Sequence, residues 1–168
     1  LGVKGSDLLN IWDQKTLERM FGEYADFNFF ESKALAKAVI EKRKAKMFET
    51  TDDYKSIISK VFGNKINNSI FSRAFQALRI AVNNEFNILI NLMKKSTEVL
   101  AKDGIFLVLT FHSGDEKKFK AFIDSQVKKG KVDYILGKNK DKVIRPSLSE
   151  VKQNIRARSS KLYGFVKK

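Results

Sequence analysis

The stretch Gly104-Ile105-Phe106-Leu107-Val108-Leu109-Thr110-Phe111-His112-Ser113-Gly114-Asp115-Glu116 decides how this chain is read. From Ile105 to Phe111 it is an apolar run, rich in β-branched and aromatic residues, with no alternation. Such a run predicts a strand covered on both faces, as in a parallel sheet flanked by helices. Ser113-x-x-Glu116 then reads as a capping box, opening a helix whose apolar stripe is Phe119, Phe122, Ile123 and Val127. His112, the only histidine of the chain, falls between the two elements. In open α/β sheets ligands bind beyond the carboxyl ends of the strands, so position makes His112 and Ser113 candidate ligand-site residues. Asp115 and Glu116 have a simpler reading, as first-turn acids that complement the helix dipole. No carboxylate can be assigned from spacing as a partner for His112 in general-base work.

Downstream, Val132 to Leu136 predicts a short strand, Ser147 and Glu150 a second capping box, and Leu162 to Val166 a closing strand. Between the last two lies Arg156-Ala157-Arg158-Ser159-Ser160-Lys161, three cations among hydroxyls, suited to phosphate or to a plain solvated surface. Upstream, Phe75, Leu78, Val82, Phe86, Leu89 and Met93 step by three and four and predict one long helix from about Ser72 to Ala101, stopped by Lys102-Asp103-Gly104. Before it stand four short helices. Asp7 to Trp12 is the first, Asp13 caps the second, the third runs from about Ser32 to Lys44, and Thr50 to Asp53 caps the fourth. Gly63 to Ser69 reads as the linker. Phe27, Phe29 and Phe30 form an aromatic cluster that suits either a core or a self-association surface, with a homodimer as the product.

The chain has 168 residues, no cysteine and a net charge of +14. Lack of cysteine excludes disulfides, thiolate zinc sites and cysteine nucleophiles, and a single histidine argues against zinc altogether. The excess of cations points to a polyanionic partner, with nucleic acid foremost. From Asn139 to Lys168 there are nine Lys or Arg against two acids, a bias that suits a phosphate-facing terminus. No apolar run is long enough for a membrane span and no signal peptide opens the sequence, so a soluble, cytoplasmic protein is expected. Leu1 stands where an initiator methionine would be, which suggests a processed, trimmed or excised chain. No two glycines are separated by a single residue, so the sequence lacks a G-x-G cofactor loop.

Three segments together resemble a known family. Arg73-Ala74-Phe75-Gln76-Ala77-Leu78-Arg79-Ile80 resembles the long-helix signature of the bacterial 16S rRNA (cytosine-N(4))-methyltransferases. Thr110-Phe111-His112-Ser113 followed by two acids resembles their Phe-His-Ser motif, and Arg156-Ala157-Arg158-Ser159-Ser160-Lys161-Leu162 their basic C-terminal motif. Two departures stand out: Gly114-Asp115-Glu116-Lys117 replaces the usual Leu-Glu-Asp-Arg, and Tyr163 stands where arginine is usual.

The resemblance implies an α/β fold, the C-terminal part of a class I (Rossmann-like) methyltransferase sheet, plus an all-helical insertion domain. Residues 6–70 would be the insertion and 71–168 the end of the catalytic domain. It also implies S-adenosyl-L-methionine as the methyl donor, bound by a glycine-rich loop and an acidic ribose contact that this sequence does not contain, so that the chain alone would be inactive. The expected partner is 16S rRNA or the small ribosomal subunit. His112 and Ser113 would shape the cytosine pocket, Arg73, Gln76 and Arg79 would brace it or meet RNA, and Arg156, Arg158 and Lys161 would hold phosphates. A non-catalytic RNA-binding or ribosome-assembly module derived from the same family is the alternative.

Overall fold

The computed structural model describes residues 2–135 and 143–168. The chain divides into two compact units, Leu1–Glu85 and Phe86–Lys168.

The first unit is helical. Its elements are α1 (Gly5–Ile11), α2 (Gln14–Ala25), α3 (Phe29–Ala45), α4 (Thr51–Phe62) and α5 (Asn68–Asn83). Local sequence sets their starts. The Asp13 side chain accepts the Thr16 amide at 2.8 Å, and Thr50 and Asp53 form a reciprocal capping box at the head of α4. A second box, Asn28 with Glu31, starts α3 at Phe29, earlier than the Ser32 expected from its stripe. Leu17, Phe21, Leu35, Val39 and Ile58 are fully buried and form the core with Tyr54, whose hydroxyl donates to Ala74 O. Burial pushes the Tyr54 phenol up from its usual range, keeping it a neutral donor. Phe27 joins this core, whereas Phe29 and Phe30 are exposed, so the aromatic cluster is split between interior and surface.

The expected single helix from Ser72 to Ala101 is two helices. Asn84 adopts φ 52° and ψ 36°, and its amide bonds back to Ile80 O and Ala81 O, ending α5; α6 (Glu85–Val99) then begins. Asparagine tolerates the left-handed region, so one residue ends the helix while the three-four spacing of apolar residues runs on through it. α5 packs on α1, α2 and α4, and the compact helical unit runs to Glu85.

The second unit holds α6, β1 (Ile105–Thr110), α7 (Ser113–Lys128), β2 (Val132–Tyr134), α8 (Leu148–Gln153) and β3 (Lys161–Lys167). Leu136, the expected end of β2, lies outside the described residues. Ser147 caps α8 by accepting the Glu150 amide at 3.1 Å. The strand order is β1-β3-β2, and both pairings are antiparallel.

This corrects two expectations for β1. Its ladder neighbour is antiparallel, and only one of its faces is covered. Phe106 and Val108 stand opposite Phe165 and Tyr163, and these four face a core completed by Met93 of α6 and by Phe119 and Ile123 of α7. The opposite face carries Ile105, Leu107 and Leu109, each just over half exposed. Gly164, directly across from Leu107, leaves room there: an added Cβ would stand 2.6 Å from Leu107 Cδ2 and 2.8 Å from Ile135 Cγ2. The uninterrupted apolar run is thus real, but among the described residues only one of its faces is covered. Among the described residues β1 also has no strand on its second edge.

Candidate functional site

The register of β1 on β3 pairs Thr110 with Lys161, and the Thr110 hydroxyl donates to Lys161 O at 3.2 Å. Because the strands are antiparallel, the carboxyl end of β1 meets the start of β3. Residues almost fifty positions apart therefore share one mouth: Thr110, Phe111, His112, Ser113, Glu116, Ser159 and Lys161 line a cavity of about 260 Å³. His112 and Ser113 come from one motif and Lys161 from another, and the sheet brings them together.

His112 occupies the N-cap of α7, with φ −124° and ψ 142°. Its Nδ1 accepts the Gly114 amide at 3.1 Å, and its carbonyl accepts the Glu116 amide. The cap is therefore His112, not the expected Ser113-Glu116 box. An Nδ1 engaged as acceptor carries no proton, so the neutral ring holds its proton on Nε2 and presents a donor. In that tautomer the imidazole offers a hydrogen-bond donor at Nε2. Gly114 makes the arrangement sterically feasible, since a Cβ there would stand 2.4 Å from Phe86 Cζ and 3.0 Å from His112 Nδ1. Gly114→Ala is accordingly expected to displace the imidazole and cost about 1–3 kcal/mol. The chain's single histidine gives unambiguous imidazole resonances, so nuclear magnetic resonance will report the loss of the Nε2–H tautomer directly.

Glu116, read from sequence as a first-turn acid, is the electrostatic centre of the cavity. Its carboxylate accepts from the Tyr163 hydroxyl at 2.7 Å, from Lys120 Nζ at 3.1 Å and from Lys161 Nζ. Burial alone would raise its pKa; the hydrogen bonds from Lys161, Tyr163 and Lys120 outweigh that and hold it at about 2. Tyr163 is fully buried, and its ring also lies 5.7 Å from Lys120 Nζ. Sequence reasoning missed the pairing. The only signal was Tyr163 itself, a polar-tipped residue at an inward position of β3 where the family usually has arginine.

The remaining candidates lie elsewhere. Arg156 and Arg158 are exposed on the 3-10 turn Ile155–Ser159, outside the cavity lining. Arg73, Gln76 and Arg79 belong to α5 in the helical unit. Arg73 Nε donates to Ala25 O at 2.7 Å, Nη2 donates to Asp26 O, and the guanidinium sits 4.3 Å from the Phe27 ring centre. It braces the end of α2 and holds an aromatic core residue. Gln76 is half-buried. Arg79 forms a two-pronged ion pair with Glu85, at 2.9 and 3.2 Å, on the rim of a cavity of about 400 Å³ lined by Tyr54, Phe75, Leu78 and Val82.

The strand-end cavity does not fit S-adenosyl-L-methionine. The strand-end cavity is smaller than the roughly 300–1,000 Å³ typical of cofactor sites. The one acid lining it, Glu116, is committed to Lys161, Tyr163 and Lys120 and cannot serve a ribose diol.

A family model for the MraW methylase family matches residues 2–168. The chain belongs to the MraW methylase family. Curated MraW-type relatives include the ribosomal RNA small subunit methyltransferase H of Dictyoglomus turgidum, 38% identical over 160 residues, covering 95% of this chain and 51% of the relative. The enzyme of the same name from Borreliella burgdorferi is 35% identical over 161 residues, covering 95% of this chain and 52% of the relative. That of Flavobacterium johnsoniae is 31% identical over 162 residues, covering 92% and 53%. This MraW-family chain thus spans about half the length of the curated relatives it matches. Among its described residues, no helix is long and apolar enough to cross a membrane.

Proposed function

We propose that this chain is the later part of an S-adenosyl-L-methionine-dependent methyltransferase that modifies the exocyclic amine of a cytosine in 16S rRNA, in the cytoplasm. Residues 6–70 are its insertion domain, and residues 71–168 are the end of a class I catalytic domain. The observation that carries this reading is the antiparallel register that sets His112 and Ser113 beside Ser159 and Lys161 in one cavity. A class I sheet is also consistent with β1, which is apolar on both faces but covered by the described residues on only one.

In this reading the methyl donor is held outside the described residues, and this chain contributes binding and orientation. An exocyclic amine needs correct placement more than activation. His112, with its proton on Nε2, supports donation to an acceptor on the cytosine edge. Ser113 would add a hydroxyl beside it. Lys161 balances Glu116 and keeps the cavity wall cationic toward the backbone of a splayed nucleotide. Arg156 and Arg158, exposed just before β3, would take phosphates.

Filter binding of small-subunit rRNA fragments across a salt series tests the surface assignment. Binding should weaken steeply with salt, and Arg156→Ala with Arg158→Ala should lower the slope of log K against log salt by about 1.5. An unchanged slope would remove both residues from the interface.

A further inference from the structure

The structure points to a single-stranded RNA stacking platform on the helical unit, formed by Phe29 and Phe30; we propose it as a second contact to the RNA, resting on the rRNA reading above. Both rings open α3, where they are 67% and 80% exposed, while the neighbouring Phe27 is buried at 4%. Nothing in the start of α3 requires them. The helix is already held by the Asn28-Glu31 capping box, and two large apolar side chains in water are an unrelieved hydration cost. The rings stand edge to face, with centroids 5.6 Å apart and planes at 78°.

The surroundings are cationic. Lys33 Nζ lies 5.7 Å from the Phe29 ring centre, and Lys15 and Arg19 line the cavity of about 320 Å³ that Phe29 borders. Phe30, Lys33 and Lys37 are spaced by three and four residues on the exposed face of α3, so a strand leaving the rings runs onto lysines. Two acids share this surface, Glu18 accepting from Gln14 Nε2 and Glu31 from the Asn28 amide, against the four cations Lys15, Arg19, Lys33 and Lys37.

Charge decides the occupant. A second copy of this chain docking through the same patch would set these cations against their own equivalents across a two-fold axis, which is repulsive. A single-stranded nucleic acid meets both features at once, with bases on the aromatic faces and phosphates on Lys15, Arg19, Lys33 and Lys37. Stacking of this kind is indifferent to base identity, because every base has a π-face. Duplex RNA, whose bases are already stacked, gains nothing from it.

The test is the intact chain with Phe29→Ala and Phe30→Ala together, and separately with both changed to Leu. Neither ring is in the core, so both variants should fold as the parent does by circular dichroism. The probes are a short single-stranded RNA of mixed sequence and a hairpin duplex of matching composition. Both variants are expected to lose about tenfold in single-strand affinity with the salt slope unchanged, and nothing toward the duplex. Full retention of single-strand affinity in the Ala variant would overturn the platform, as would retention by Leu. A parent chain that dimerises in light scattering, and loses both dimer and RNA binding together in the Ala variant, would show a self-association face instead. If the parent chain binds neither RNA at any salt concentration, the rRNA reading itself fails, which is a different result from a variant that binds like the parent.

Discussion

Glu116→Ala is expected to destabilise the second unit by about 2–4 kcal/mol, read by urea unfolding, because it removes the carboxylate on which Tyr163, Lys120 and Lys161 converge. The Tyr163 hydroxyl sits on a side chain with no exposed surface, and Lys161 loses its ion pair with this carboxylate. Tyr163 also packs on Phe119, so a shift that rehydrates its hydroxyl opens the core beneath α7. Glu116→Gln separates the contributions: the amide still accepts from Tyr163 but no longer neutralises Lys161 and Lys120, so its loss should be smaller.

The same carboxylate gives the second unit a pH signature. Its pKa is held at about 2, against an ordinary value of 4.5. A depressed carboxylate stabilises the fold fully above its unfolded value, and the contribution fades as pH falls from about 4.5 toward 2. Solvent screening at this partly open site leaves about 1–2 kcal/mol of it. Wild type should lose that increment across this window, and Glu116→Gln should show a correspondingly flatter stability curve. An identical acid limb in the two proteins would mean that Glu116 is not held as the geometry shows.

Local rules were legible in the sequence and long-range ones were not. Asp13 and the run Thr50-Thr51-Asp52-Asp53, with its two possible caps, announce helix starts because a cap needs only three following residues; Asp13 and Thr50 are the caps found. Asn28-x-x-Glu31 carried the same signal, overshadowed by an apolar stripe that begins later. The break at Asn84 was hidden because a single left-handed residue leaves the hydrophobic spacing intact on either side. Strand direction was hidden too, since the pattern of β1 records how much of it needs cover and not which strand lies beside it. The site divides in the same way. His112, Ser113 and Lys161 were found as motif residues, but the bonds that tie Glu116 to Lys161 and Tyr163 cross 45 and 47 positions and exist only through the β1–β3 register.

Leu107→Lys with Leu109→Lys is the variant on which the methyltransferase reading depends most. In this chain both positions are about half exposed, on the uncovered face of β1. The double substitution should therefore change the chain's own stability by no more than about 0.5 kcal/mol per site, and added charge on an open strand should make it less prone to associate. The outcome reverses if that face belongs inside a larger sheet. In a fusion that places the first half of the Dictyoglomus turgidum enzyme ahead of this chain, the two lysines would be buried without partners. Such burial costs several kcal/mol, enough to undock the two halves, so methylation of small-subunit rRNA should be largely lost. Leu107→Met with Leu109→Met, which keeps volume and polarity, should leave the fusion active. A fusion that methylates equally well with lysines at both positions would mean that no catalytic half packs on this face, and the apolar run from which the fold was read would need another partner.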